Sequence, residues 1–233
     1  MEGDLSRKPV FLLAGGRGKG RGQRAILSAA IASAGKLAPS LAYVGAAAGD
    51  SVPFRLLISG FLKPAGAGPI LPVKLCGRRP NIARAKAVLD GADAVFVSGG
   101  DVEEGMRVIE DTGVAAHFRS LAEQGKPFIG LSAGSILLAR SWVRWRDPED
   151  DASSELFSCL GIAPVYCDAH DEASGWSELK ALLSLLPEGE EGWGIPSGGA
   201  LIAGEGLVTW MGPVPARFKR IDASIQEIPA ERV

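Results

Sequence analysis

Hydrophobic residues along the chain fall into short dense runs, separated by longer stretches in which they recur every three or four positions. The runs PVFLLAGG (9–16), SLAYVGAA (40–47), PILPVKLCG (69–77) and ADAVFVSGGD (92–101) are nearly continuous, as in strands buried on both faces. Between them, Gln23–Ala34 sets Ile26, Leu27, Ala30 and Ile31 on one helical face, and residues 50–63 do the same with Leu56, Leu57, Phe61 and Leu62. Asn81 can cap a helix that runs to Leu89. Helical spacing returns over Val102–Ile109 and Val114–Gln124, and a fifth strand, Pro127–Leu131, passes at once into a helix from Ala133. Repeated strand–helix alternation predicts an α/β fold, a mostly parallel central sheet in a three-layer arrangement with helices on both faces. Sites in such sheets lie at the carboxyl ends of strands. Gly15-Gly16, Gly45, Gly99-Gly100-Asp101 and Ser132 are therefore expected to converge on one rim.

After Arg140 the pattern changes. SWVRWRDPEDDASSE (141–155) is charged and reads as an excursion or loop. LGIAPVYCDAH (160–170) reads as a strand ending in His170, and SELKALLSLLPEG (177–189) as a helix and its stop. GWGIPSGGALIAGEGLVTWMGPV (192–214) reads as short strands joined by turns, with a β-hairpin around Gly204-Glu205-Gly206. The remaining tail is too short for a domain, and no repeat or linker divides the chain. Residues 1–233 are expected to form a single domain.

Composition narrows the function classes. Hydrophobic residues at 46% and charged residues at 22% can fill a sizeable core, and a net charge of -2 gives no reason to expect nucleic acid or an anionic membrane as partner. No apolar run reaches the ~18 residues of a membrane span. MEGDLSRKPV has no apolar h-region, which argues against a signal peptide. Three cysteines (Cys76, Cys159, Cys167) without a CxxC, and two histidines, argue for a reducing, cytoplasmic setting and against a disulfide framework or a Cys/His metal site. No cofactor is implied, and a homodimer is compatible with the sequence.

The chemistry centres on Gly130-Leu131-Ser132-Ala133-Gly134, which fits G-x-S-x-G between an apolar strand and a helix. In a nucleophile elbow the serine occupies a strained strand-to-helix turn, and small neighbours let backbone come close. A serine needs a base to take its proton. His117 lies in a helical run, whereas His170 ends a strand 38 residues after Ser132 and is the better placed of the two. The N–H of Ala133 and the glycines Gly99-Gly100 are candidate oxyanion donors. Asp168, two residues before His170, would face the same way on a strand, but such neighbours rarely bond back in register. The basic loop RGKGRGQ (17–23) fits no phosphate-binding pattern and reads as a solvated loop.

With these residues in hand, the order of motifs resembles the aspartyl dipeptidase E and cyanophycinase family of serine peptidases, which share the class I glutamine amidotransferase-like, flavodoxin-like fold. The segments that carry the resemblance are VFVSGGDVEEGMRVIEDTG, PFIGLSAGSILLA, LGIAPVYCDAH and GWGIPSGGALI, within about Lys8 to Pro213. The resemblance implies a hydrolase of a small peptide or related amide, with Ser132 as nucleophile, His170 as base, and Gly100 and Ala133 forming the oxyanion hole. It places Gly99 and Asp101 at the substrate, and matches Asp147 to an aspartate after the elbow. Three departures stand out. Asp101 replaces a usual Asn. The segment after the base, DEASGWSELK, lacks the family's arginines and offers Asp171, Glu172 and Glu178, so poor turnover of aspartyl dipeptides and a tilt towards neutral or basic substrates are expected unless a distant arginine, such as Arg17 or Arg21, folds over the site. The family's third triad acid is matched by Ser197, so a dyad with a weak third member and slow hydrolysis are expected. The alternative is a catalytically degenerate member acting as a binding or regulatory protein.

Overall fold

The computed structural model describes residues 8–15, 21–147 and 149–231. Expectations resting on Gly16, Arg17 and Lys19 lie outside the described residues.

The first half of the chain alternates as its pattern demands: β1 (Val10–Leu13), α1 (Arg21–Ala32), β2 (Leu41–Val44), α2 (Val52–Leu62), β3 (Ile70–Val73), α3 (Ile82–Gly91), β4 (Ala94–Val97), α4 (Val102–Asp111), α5 (Ala115–Glu123), β5 (Phe128–Leu131) and α6 (Ala133–Leu138). Side-chain caps start several of the helices. Asn81 accepts the Arg84 N–H at 3.0 Å and Asp101 the Glu104 N–H at 2.8 Å, each satisfying a backbone donor that the first helical turn leaves open. The second half is β-rich: β6 (Ser141–Trp145), β7 (Ser154–Ser158), β8 (Tyr166–Asp168), α7 (Ser177–Ser184), β9 (Glu191–Gly194), β10 (Ala200–Gly204), β11 (Leu207–Met211), β12 (Ala216–Ile221) and β13 (Ser224–Ile228).

A seven-stranded sheet has the order β11-β10-β1-β5-β4-β2-β3. Strands β1 to β5 run parallel, and β10 and β11 extend the sheet antiparallel beyond β1. Because strand side chains alternate, each strand feeds two cores. Val10, Leu12, Val95 and Val97 face the α3–α6 layer, whereas Phe11, Leu13, Ala94 and Phe96 face α1 and α2. Strand β5 occupies the centre of the sheet, so whatever follows it emerges between the ends of β1 and β4.

Three segments differ from their sequence reading. Residues 141–155 are not an irregular excursion. They contain strand β6, which pairs with β7 in a two-stranded antiparallel hairpin, Val143 opposite Leu156. Alternation was present there, since Ser141 and Val143 are buried and Trp142 and Arg144 less so, but the charges of the intervening turn obscured it. The strand over 160–170 shortens to β8. It joins not the main sheet but a second one, β13-β12-β9-β8. The tail adds a hairpin of its own, β12–β13, beside the expected β10–β11 hairpin around Glu205-Gly206. Helix α7 packs Leu179, Leu182 and Leu183 with Val143, Trp176 and Phe218, tying the β6–β7 hairpin to the second sheet.

Candidate active site

Ser132 stands at the end of β5 with φ 60° and ψ -128°. A non-glycine residue with positive φ is strained, at a cost on the order of 1–3 kcal/mol, and persists only where its surroundings hold it. Here they do. The Ser132 N–H donates to the Leu13 carbonyl at 2.9 Å, the Ser135 N–H donates to the Ser132 carbonyl at 2.8 Å, and the Ser135 hydroxyl reaches the same Leu13 carbonyl at 2.9 Å. The strained turn is thus fastened to the neighbouring strand from both sides.

The glycines explain how so many chains meet at one point. A Cβ at Gly134 would lie 2.1 Å from the Val97 carbonyl oxygen, and one at Gly130 would lie 2.7 Å from the Ser135 Cα. Both positions of the G-x-S-x-G pattern therefore serve close backbone packing of α6 against β4 and β5. From the flanks, a Cβ at Gly15 would sit 2.8 Å from Ser132 Oγ, and one at Gly99 would sit 2.9 Å from Ser132 Cβ. Gly15, Gly99 and Ser132 do share one rim, and Gly100 follows with φ 146°, where a Cβ would lie 1.9 Å from the Ala47 carbonyl oxygen. Ala133 opens α6, fully buried.

His170 comes to Ser132 from the second sheet, just beyond β8. Its Nε2 and Ser132 Oγ form a short hydrogen bond, which joins the two residues expected as a pair across 38 positions. The His170 side chain is 42% exposed, so a departing group or an entering water can reach it. Burial lowers its pKa below the ordinary 6.5, and the nearby Glu178 carboxylate partly offsets this. Neutral imidazole, the form able to accept a proton, is therefore favoured.

On the other side of the ring, Asp168 Oδ1 lies 3.9 Å from His170 Nδ1. Asp168 is 1% exposed, and burial raises its pKa. Oδ1 accepts the backbone N–H groups of Ala169 and His170, while Oδ2 is buried with no hydrogen-bond partner among the described residues. The discounted neighbour thus turns back because β8 ends at Asp168 and the next two residues wrap around its carboxylate. An acid two residues before a histidine at a strand end was the available signal. Ser197, by contrast, is exposed. Its N–H donates to Glu172 Oε2 at 3.0 Å, and no hydrogen bond joins it to His170 among the described residues.

The remaining expected residues make contacts of their own. Asp101 spends its carboxylate on the α4 cap. Asp147 sits in the turn between β6 and β7, where its carboxylate accepts the Glu149 N–H at 3.1 Å. Of the acids after the base, Asp171 accepts the Ser177 hydroxyl and the Glu178 N–H at the start of α7, and Glu178 accepts the Trp142 indole N–H at 3.2 Å. His117, within α5, pairs with Asp90 at 2.8 Å. Among the described residues no group of three or more His, Cys, Asp or Glu side chains could hold a metal ion, and no helix is long and apolar enough to cross a membrane.

Comparison with known proteins gives this geometry a setting. The structure superimposes on a peptidase from an acI-B1 Actinobacterium with a TM-score of 0.69 at 15% identity, covering 98% of each chain. It also superimposes on a protein described as peptidase E from Listeria monocytogenes EGD-e, with a TM-score of 0.61 at 12% identity over 88% of this chain and 98% of the other. These establish a shared fold. Among curated proteins, the chain is 32% identical over 118 residues to the pyridoxal 5'-phosphate synthase subunit PdxT of Geobacillus stearothermophilus and likewise to that of Geobacillus kaustophilus. Those matches take in 51% of this chain, which spans only 55% of the length of either protein. The model of peptidase family S51 matches residues 10–209, a span that holds the strained serine, its histidine and every strand of the main sheet except the end of β11; the chain belongs to peptidase family S51.

Proposed function

We propose that the protein is a serine-type hydrolase of small peptides or related amides, with Ser132 as nucleophile and His170 as general base. The observation that carries this reading is the hydrogen bond between Ser132 Oγ and His170 Nε2, made by a serine held at positive φ. Family membership supports peptidase-like chemistry.

In this reading His170 Nε2 takes the hydroxyl proton as Ser132 Oγ attacks the substrate carbonyl. The oxygen of the tetrahedral intermediate turns to the backbone N–H groups of Gly100 and Ala133. The imidazolium then returns its proton to the departing amine, and water repeats the sequence to free Ser132. Asp168 is the acid that holds the Nδ1–H tautomer, closing from 3.9 Å as the ring becomes charged. The larger core draws residues from both the main sheet and β8–β9, which supports one domain.

A fluorophosphonate probe tests the reading. Parent protein should label at Ser132, and Ser132→Ala and His170→Ala should not. Absence of labelling in the folded parent would leave the degenerate, binding-protein reading standing.

A further inference from the structure

Beside Ser132 lies a cavity of about 380 Å³ that the proposed reaction has not yet used. It opens on the α1–α2 face of the sheet. Its walls are Leu27, Phe54, Ile58, Leu62, Phe96 and Leu131, and its inner end is closed by Gly15, Gly99, Gly100 and Ser132. Leu57 and Phe61 also line it and are 58% and 46% exposed, which puts them at the mouth. Among the described residues no charged side chain lines it, and Gln23 is the one polar side chain besides Ser132. The volume falls in the range of pockets that take small ligands.

Resting on the hydrolase reading above, we infer that this cavity receives the side chain on the acyl side of the scissile bond, and that this side chain is apolar, aliphatic or aromatic. Three observations support the assignment. The nucleophile and the glycines next to it form the end of the cavity, so a group filling it is directly joined to the carbonyl under attack. His170, which must protonate the leaving amine, does not line it, so the leaving half of the substrate lies on the other side of Ser132. Among the described residues the walls offer no counter-ion, and a charged side chain would be desolvated against them without a partner. The exposed apolar residues at the mouth also have an explanation, because a substrate entering the cavity would cover them.

The test uses X-Gly dipeptides with X = Leu, Phe, Ala, Asp or Arg, on the parent and on Leu57→Asp and Leu57→Arg. Leu57 is solvent-accessible, so both variants should fold, and each controls for the other. Leu-Gly or Phe-Gly should be the best substrate, with kcat/KM about tenfold or more above Ala-Gly, since one methylene in an apolar pocket is worth about 10- to 200-fold. Either charge at position 57 should lower the rate for the apolar substrates. Leu57→Asp should shift the ranking towards Arg-Gly, and Leu57→Arg towards Asp-Gly. If Asp-Gly or Arg-Gly is best in the parent and indifferent to charge at position 57, while Ser132 still labels with fluorophosphonate, the cavity assignment falls and the hydrolase reading survives. If no dipeptide is turned over, calorimetry on Ser132→Ala decides. Binding of Leu-Gly or Phe-Gly that Leu57→Asp weakens keeps the cavity as the site of an apolar side chain, with fluorophosphonate labelling deciding the hydrolase reading separately, and no binding of any dipeptide removes the cavity assignment.

Discussion

Gly134 sets helix propensity against tertiary packing, and the two predict opposite signs. It is the second residue of α6, where alanine would normally be the better helix former by about 1 kcal/mol. But a Cβ there would lie 2.1 Å from the Val97 carbonyl oxygen, more than 1 Å inside normal contact, and 2.9 Å from that of Ser98. The obstacle is backbone of the adjoining strand, which cannot rotate away as a side chain would, so the cost belongs at the top of the overpacking range, about 3 kcal/mol. Against the propensity gain, Gly134→Ala should lose about 2 kcal/mol net. For a chain of this size that is a fall in Tm of about 4–8 °C. The relief route pushes α6 away from β4 and carries Ser132 with it. A displacement of about 1 Å at a nucleophile can cost about 10²-fold, so the fluorophosphonate labelling rate should fall with stability. Gly60→Ala is the control. Gly60 sits in α2, exposed, with nothing within 4 Å of a built Cβ, and the same substitution there should raise Tm by about 2–4 °C. Thermal melts by circular dichroism read both. A Gly134→Ala protein as stable as the parent, labelling at the parent rate, would refute the packing argument.

Other outcomes follow from the same geometry. Because burial lowers the pKa of His170, the acid limb of the kcat/KM profile should lie below pH 6.5, and Glu178→Gln, which removes the charge that partly offsets burial, should move the limb lower still. Asp168→Asn should lower kcat by up to about 10⁴-fold if the carboxylate orients the imidazole, with the pH limb displaced, whereas Ser197→Glu should change little; the reverse pattern would restore Ser197 as the third member. Asp93, held at a pKa of about 2 chiefly by the Lys36 ammonium and by the N–H and hydroxyl of Ser40, has its folded value below its ordinary 3.8. Its contribution to stability is therefore complete above pH 3.8 and is lost as pH falls through about 2, so denaturant melts should show Asp93→Asn weaker than the parent at pH 7 and the gap closing across that window.

Local chemistry along the chain was enough for much of this protein. Dense apolar runs alternating with 3.6-residue periodicity have one compact solution, the parallel sheet with helices on both faces, so the strand ends and the rim holding Ser132, Gly99 and Gly15 could be anticipated. The serine turn was legible because G-x-S-x-G joins a strand to a helix, and the Asn81 cap because a helix start has open N–H groups to satisfy. What required the folded chain were relations between segments with no common period. The β6–β7 hairpin was hidden by charge in its turn. That β8 belongs to a second sheet depended on which edge was free to pair. The turn that brings the Asp168 carboxylate beside His170, rather than leaving Ser197 there, exists only because β8 stops where it does. The cavity beside Ser132 is likewise set by how α1 and α2 sit over the sheet, since a void belongs to no single segment and leaves no pattern in any of them.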